Sequence, residues 1–239
     1  MSEKSRFLNS LLITIAFLMI CWMLWLPEEF FDWEIKKWGM RPRELKGLIG
    51  IGSMHFLHGS FEHIGNNTLS FGVLNTLLFF FYPGLAWKVF WRIMLIGGAL
   101  LWFWGRESNH IGASLLIYGI AAFVFISGLI RRDEKMLRVS LFTAFVYGSI
   151  VWWVLPIDPS ISWEGHASGA LVGVSLAWIY RQRGPQRKKY QWEIDEELEK
   201  ERLEALGELP TDITTGVDFI YDFTRSNPDD SQEDDSEKS

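Results

Sequence analysis

The chain has 239 residues, of which 49% are hydrophobic, and it includes 13 Trp and 18 Phe. Its formal charge of -6 is unevenly distributed, because residues 1–180 sum to +2 and residues 181–239 to -8. This split indicates an apolar, membrane-embedded core followed by an acidic polar tail, and it argues against one soluble globule. The single cysteine, Cys21, excludes a disulfide within the chain. Because neither a glycine-rich phosphate loop nor a nucleic-acid-binding module is recognisable, we expect no nucleic-acid partner and no cofactor.

Six apolar segments predict membrane-spanning helices, each of which needs about 20 mostly apolar residues. They are Leu8–Leu26, Ile64–Tyr82, Ala86–Trp104, Ile111–Ile130, Val139–Ile157 and Gly165–Tyr180. The first, second, fourth and fifth contain no charged residue, which disfavours a soluble protein with large buried helices. The sixth is short and rich in small residues, so hydropathy alone would rank it last.

The distribution of Lys and Arg predicts the orientation of the spans, since these residues accumulate on the cytoplasmic side. With the N-terminus inside, the inner segments carry 13 Lys and Arg and the outer connections carry 6. Both termini are therefore expected in the cytoplasm, most naturally of a bacterial cell (inner) membrane. The long first loop is mixed polar and aromatic, and we expect it to lie along the outer interface as short amphipathic helices.

Residues 184–239 differ in character from the membrane domain at residues 1–183. Gly184-Pro185 ends the sixth predicted span, and helical spacing of apolar residues predicts a solvated helix over about 187–206. From Ser226 onward the acidic sequence is typical of disorder. We therefore predict a cytoplasmic tail.

The even-numbered spans all begin at the outer face, and their first turns are polar. Histidines and amides open the second span, Gly112-Ala-Ser114 opens the fourth and His166 opens the sixth. Topology alone therefore brings these side chains to one membrane face at similar depth. Ionisable groups there are costly and call for a function.

A metal site is the first chemical alternative for this cluster. His58 and His63 are five residues apart, about 140° around a helix, and no thiol or second carboxylate joins them, so we expect no metal. Ser114 and His166 instead suit nucleophilic catalysis, in which the imidazole accepts the hydroxyl proton. His63 and Asn67 share a helix face and could donate hydrogen bonds to an oxyanion.

Further residues could support this pair. Tyr118 lies one turn after Ser114, where its ring could hold His166 in place. Gly169 and Gly173, with Gly112, are expected to let helices approach closely. Asp158 and Glu164 are interpreted as solvated caps in an aqueous loop, which leaves a dyad and not a triad. His110 is compatible with either a loop cap or a wall of the site.

The combined pattern resembles the rhomboid family of intramembrane serine proteases. The residues that carry the resemblance are His58-x4-His63-x3-Asn67, Gly112-x-Ser114 and His166-x2-Gly169-x3-Gly173, in family order over roughly residues 40–182. The resemblance implies an all-α membrane protein, a six-helix rhomboid-like bundle whose cavity opens to the outside. It implies a Ser114–His166 dyad and an oxyanion hole of His63, Asn67 and the Ser114 N–H, with His58 in support. Its substrates would be single-span membrane proteins within the lipid bilayer, cut where the helix can unwind.

One residue departs from the family pattern Gly-x-Ser-Gly, because Leu115 follows the nucleophile. A Leu115 side chain directed at the sixth helix could push His166 away, whereas one directed at lipid or the cavity would be tolerated. The alternative function is therefore a rhomboid-like pseudoprotease that binds membrane helices without cutting them. A transporter or channel would instead require ionisable groups at mid-membrane, which the predicted spans lack.

Overall fold

The computed structural model describes residues 2–131, 133–159, 161–187 and 190–206, and within these ranges the chain is helical, without strands. Its principal helices are α1 (Glu3–Phe31), α2 (Phe61–Phe81), α3 (Ala86–Trp104), α4 (Ser114–Arg131), α5 (Glu134–Tyr147), α6 (Trp163–Ile179) and α7 (Gln191–Leu206). The predicted tail helix corresponds to α7, which belongs to a separate unit from residue 189 onward. The acidic segment after Ser226 lies outside the described residues.

Helix starts follow local capping chemistry. The Ser60 and Ser162 hydroxyls accept the N–H groups of His63 and Gly165, and an Asp133 carboxylate oxygen accepts that of Met136. Each of these bonds satisfies one of the N–H groups that a first helical turn leaves without an intrahelical acceptor. The caps therefore set where α2, α5 and α6 begin.

Four of the described helices, α1 to α4, are long and apolar enough to cross a membrane. The fifth predicted span, 139–157, differs from the structure, since α5 ends at Tyr147 and a 3-10 segment follows over Gly148–Val154. The helix α6 has 17 residues. The all-helical prediction is thus confirmed, whereas the prediction of six spans stays open.

The helix α4 is the centre of the bundle. It packs against α2, α3, α5 and α6, and 67% of its apolar window is buried, against 22% for α1. A helix that is apolar on all sides is expected at such a position. Both ends of α4 are therefore surrounded by protein.

The first loop contains short helices, as the sequence predicted. Two 3-10 segments, Ile35–Trp38 and Leu45–Ile49, precede a helical turn at Gly50–Ser53 and a 3-10 turn at Met54–Phe56. The main chains of Met40 and His110 exchange two hydrogen bonds of 2.8 and 2.9 Å. The first loop is thereby attached to the loop that precedes α4.

Candidate active site

Ser114 is the first residue of α4 and follows a tight turn. Gly112 in this turn has φ +115°, a conformation that L side chains rarely adopt, and its N–H donates to the Met54 carbonyl at 2.9 Å. Gly112 therefore serves the turn, and it also leaves room for the His63 ring of α2, with which a Cβ atom there would collide. The Ser114 N–H is in the first helical turn, where no intrahelical acceptor exists.

The side chains of His63 and Asn67 converge on this turn. A Cβ atom at Gly112 would lie 2.5 Å from His63 Nε2 and 3.3 Å from Asn67 Nδ2. The Asn67 Nδ2 atom is buried and donates to no acceptor among the described residues. The main-chain N–H of Gly59 approaches His63 Nδ1 at 3.5 Å, which favours the tautomer with the proton on Nε2. Both side chains thus direct donors toward the start of α4.

His58 lies behind His63. Its ring is 5.0 Å from the His63 ring in an edge-to-face arrangement, and the residue is only 2% exposed. This contact restricts the movement of the His63 ring. His58 is therefore placed as a supporting residue and not as a member of the donor pair.

His166 is held between α4 and the 3-10 segment Gly148–Val154. Its ring stacks on Tyr118 at 4.0 Å between centroids and 5° between planes. Its Nδ1 atom lies 2.8 Å from the Trp153 carbonyl oxygen, which can only accept, so Nδ1 carries the proton. In the neutral ring this leaves Nε2 as a proton acceptor. The Trp153 carbonyl had no signal in the sequence, because it is a backbone group.

Glycines bring the backbones of α4 and α6 into contact. A Cβ atom at Gly169 would collide with the Leu115 carbonyl, and one at Gly173 would collide with the Gly119 carbonyl. Such collisions explain why both positions need glycine. Ser114 and His166 consequently lie on neighbouring turns of the two helices.

The structure corrects both alternatives for Leu115. The residue is 2% exposed, so its side chain is buried within the bundle. Its Cδ2 atom lies 2.8 Å from where a Cβ atom of Gly97 in α3 would stand. The side chain is therefore accommodated against α3, and the pseudoprotease alternative stays open.

A second polar cluster near the start of α6 differs from its interpretation as a solvated loop. Glu164 is buried, and its Oε1 lies 3.5 Å from Arg106 Nε. His110 contacts the Ser162 hydroxyl at 2.6 Å and the Arg106 carbonyl at 3.0 Å, and burial lowers its pKa. His110 is thus a loop-bridging residue. The interpretation of Glu164 as a solvated cap was wrong, since a buried carboxylate needs its ion-pair partner.

Among the described residues, no hydrogen bond joins Ser114 Oγ to His166, although the helix turns that carry them are adjacent. The described ranges contain no group of three or more His, Cys, Asp or Glu side chains able to hold a metal ion. The arrangement offers a hydroxyl, an imidazole with an acceptor nitrogen, and two side-chain donors beside a helix N-terminus. Those are the components of acyl transfer through an oxyanion.

These features define a helical integral membrane protein with a buried polar site. The Rhomboid domain family matches residues 46–183 of the chain. An uncharacterized protein of Mycobacterium tuberculosis is 31% identical over 186 residues, covering 73% of this chain and 75% of its own. An uncharacterized protein of Mycobacterium leprae is 26% identical over 200 residues, covering 78% and 77%. A protein of Neurospora crassa named rhomboid-type serine protease 2 is 25% identical over 190 residues, covering 70% and 64%.

The chain belongs to the rhomboid family, which confirms the resemblance seen in its motifs. This is a family of intramembrane serine proteases.

Proposed function

We propose that this protein is an intramembrane serine endopeptidase that cleaves single-span membrane proteins with Ser114 as nucleophile and His166 as base. The observation that carries the proposal is the convergence of His63 Nε2 and Asn67 Nδ2 on Gly112, two residues before Ser114. Structural polar residues would be expected to bond with each other. Here the buried Asn67 amide instead points a donor at the turn that precedes a serine.

The chemistry proceeds by acyl transfer. His166 Nε2 accepts the Ser114 proton while Oγ attacks the scissile carbonyl, and the carbonyl oxygen becomes an oxyanion. When this intermediate collapses, the peptide C–N bond breaks and His166 gives the proton to the leaving amine. Water, activated by His166, then hydrolyses the Ser114 ester. Donors from His63, Asn67 and the Ser114 N–H stabilise that charge, and the N-terminal end of the α4 dipole has the favourable sign. The Trp153 carbonyl keeps the proton of His166 on Nδ1, a task that the aspartate performs in serine protease triads.

The substrate must expose a carbonyl that a helix normally hides. In lipid, unwinding is tolerated only where protein or water satisfies the freed backbone groups. Single spans with small or helix-breaking residues are therefore the expected substrates. We further propose six spans with both termini in the cytoplasm of a bacterial cell, an orientation in which the site lies near the outer leaflet.

Labelling with a fluorophosphonate probe tests the proposal. The wild-type protein in lipid nanodiscs should label at one residue, and Ser114→Ala should abolish labelling while the melting temperature changes little. A Ser70→Ala variant, in the middle of α2, is the matched control and should label normally. Labelling that persists in Ser114→Ala, or a folded wild-type protein that never labels, contradicts the proposal.

The orientation has its own test. A cysteine introduced by Glu107→Cys, in the loop before α4, should react with an impermeant maleimide applied to intact cells. A cysteine introduced by Lys135→Cys, at the start of α5, should react only after permeabilisation. The opposite pattern would place the site at the inner face.

A further inference from the structure

The contact between α3 and α4 is unlike the contact between α4 and α6. The helix α3 is α-helical over Ala86–Arg92 and Gly98–Trp104, but Ile93–Gly97 between them has π-helical hydrogen bonding. Such π segments are rare, and they occur frequently at functional sites. This one contacts both α6 and the first two turns of α4.

Two side chains and two glycines interlock along this seam. Leu115 of α4 occupies the space at Gly97, and Ile93 of α3 occupies the space at Gly119, where a Cβ atom would collide with Ile93 Cγ2. Each helix therefore offers one branched side chain and, four residues away, one glycine notch. The two contacts define both the separation and the register of the helices.

The notch at Gly97 is tight. A Cβ atom there would lie 2.8 Å from Leu115 Cδ2 and 3.6 Å from Cγ, whereas real Cβ contacts essentially never fall below 3.0 Å. Leu115 is 2% exposed, so it has little room for another rotamer. A methyl group at position 97 would consequently force the Cδ2 end of the Leu115 side chain to move.

The main chain of Leu115 is restrained from the other side. Its carbonyl abuts Gly169 of α6, which lies three residues after His166. One residue is thus in contact with α3 through its side chain and with α6 through its backbone. Because Ser114 is the preceding residue, the same two contacts determine where Ser114 stands relative to His166.

We propose that Gly97 is a positioning residue for the nucleophile: its notch seats Leu115 and thereby places Ser114 opposite His166. This inference rests on the proposed function, in which Ser114 attacks. It also gives a role to the residue that departs from the family pattern, since Leu115 is accommodated by a glycine in a different helix.

A double-mutant experiment with the fluorophosphonate probe tests the pair. Gly97→Ala should lower the maximal labelling rate about 10- to 100-fold with little change in probe affinity, because displacement of about 1 Å is enough to disrupt a reacting pair. In the double variant, Leu115→Val removes one methylene from the side chain that the new methyl group at position 97 would contact. The maximal labelling rate should therefore return to within about 3-fold of wild type. Gly72→Ala in α2 is the control, since its Cβ would lie 4.0 Å from Leu18 Cδ1, and its rate should be unchanged.

The outcomes separate the two proposals. A folded Gly97→Ala protein with the wild-type rate, or a double variant as slow as Gly97→Ala alone, overturns the positioning role. Failure of the proposed function appears differently, as an unlabelled wild-type protein. Should Gly97→Ala not fold, Leu115→Ala becomes the test. Emptying the notch must then lower the maximal rate without changing affinity, and an unchanged rate in the folded variant overturns the role.

Discussion

The two ends of α4 bury polar groups in opposite ways. At the Arg131 end, the guanidinium donates four hydrogen bonds to protein. Its Nε donates to Ser127 Oγ at 2.9 Å, Nη2 to the Tyr180 carbonyl at 2.8 Å, and Nη1 to the Arg181 and Pro185 carbonyls at 3.0 and 3.1 Å. The guanidinium also lies 5.7 Å from the centre of the Tyr82 ring. These acceptors belong to the C-terminal end of α6 and the turn after it, so Arg131 caps that helix.

At the Ser114 end, the buried Asn67 Nδ2 donates to no described acceptor. The half-buried Ser114 makes no described hydrogen bond to His166. A buried donor without a partner costs roughly 1–3 kcal/mol, so it calls for an explanation. A reacting substrate that completes the bonds only in the transition state is such an explanation. In the proposed mechanism, therefore, the hydrogen bonds of Arg131 stabilise the fold, and the Asn67 donor is reserved for the oxyanion.

The largest expected effect is a loss of turnover when the donor at the Ser114 end is removed. Asn67→Ala should lower turnover about 100- to 1,000-fold, the typical loss for one oxyanion donor, with little change in melting temperature. Asn75 is a matched control on the same helix, since its buried Nδ2 donates to Thr14 Oγ1 at 2.9 Å. Asn75→Ala should lower the melting temperature and spare turnover. If the two variants behave alike in both measurements, the contrast fails.

The next effect concerns the Arg131 end. Arg131→Met removes four hydrogen bonds from a charged donor and leaves carbonyls of α6 uncapped, so the free energy of unfolding should fall by about 2–3 kcal/mol. Turnover per folded molecule should stay close to wild type. Denaturant unfolding in detergent measures the first, and probe labelling the second. Arg138→Met is the control, because Arg138 is exposed and pairs only with Glu134 among the described residues. If Arg131→Met lost turnover but kept the stability of the wild type, Arg131 would have a functional role and not a structural one.

The smallest effect is expected at Glu164, because one of its carboxylate oxygens has a protein partner and the other has none among the described residues. Its Oε1 is paired with Arg106, while Oε2 is buried without a described partner. Glu164→Gln should destabilise the fold by only about 1 kcal/mol, since Arg106 is partly exposed, and should lower turnover a few-fold at most. Thermal unfolding and labelling of one preparation check both values. A loss of turnover as large as that of Asn67→Ala would make Glu164 a direct participant.

The helices were predictable from the sequence where a long apolar segment was sufficient to define them. The helices α1 to α4 agree with four of the predicted spans to within a few residues at most ends, because burial in lipid requires long apolar helices. The fifth span was predicted less well, since α5 gives way to a 3-10 segment at Gly148. Hydropathy does not distinguish the hydrogen-bonding patterns of apolar helical segments.

Within the site, the sequence by itself determined which chemistry was available. Alternating topology and polar first turns were enough to bring His63, Asn67, Ser114 and His166 into one candidate cluster. Spacing along one helix is a local property, so the shared face of His63 and Asn67 could be read directly. The same holds for Tyr118, one turn from Ser114, whose ring stacks on His166.

Only the tertiary structure decided the directions of side chains at helix contacts. Leu115 had two predicted directions, and it takes a third, toward Gly97, which lies 18 residues earlier in a π-helical segment. The Trp153 carbonyl and the burial of Glu164 were likewise out of reach. The physical reason is that rotation of a helix about its axis, and the approach of distant backbone, are set by packing between surfaces that are remote in sequence.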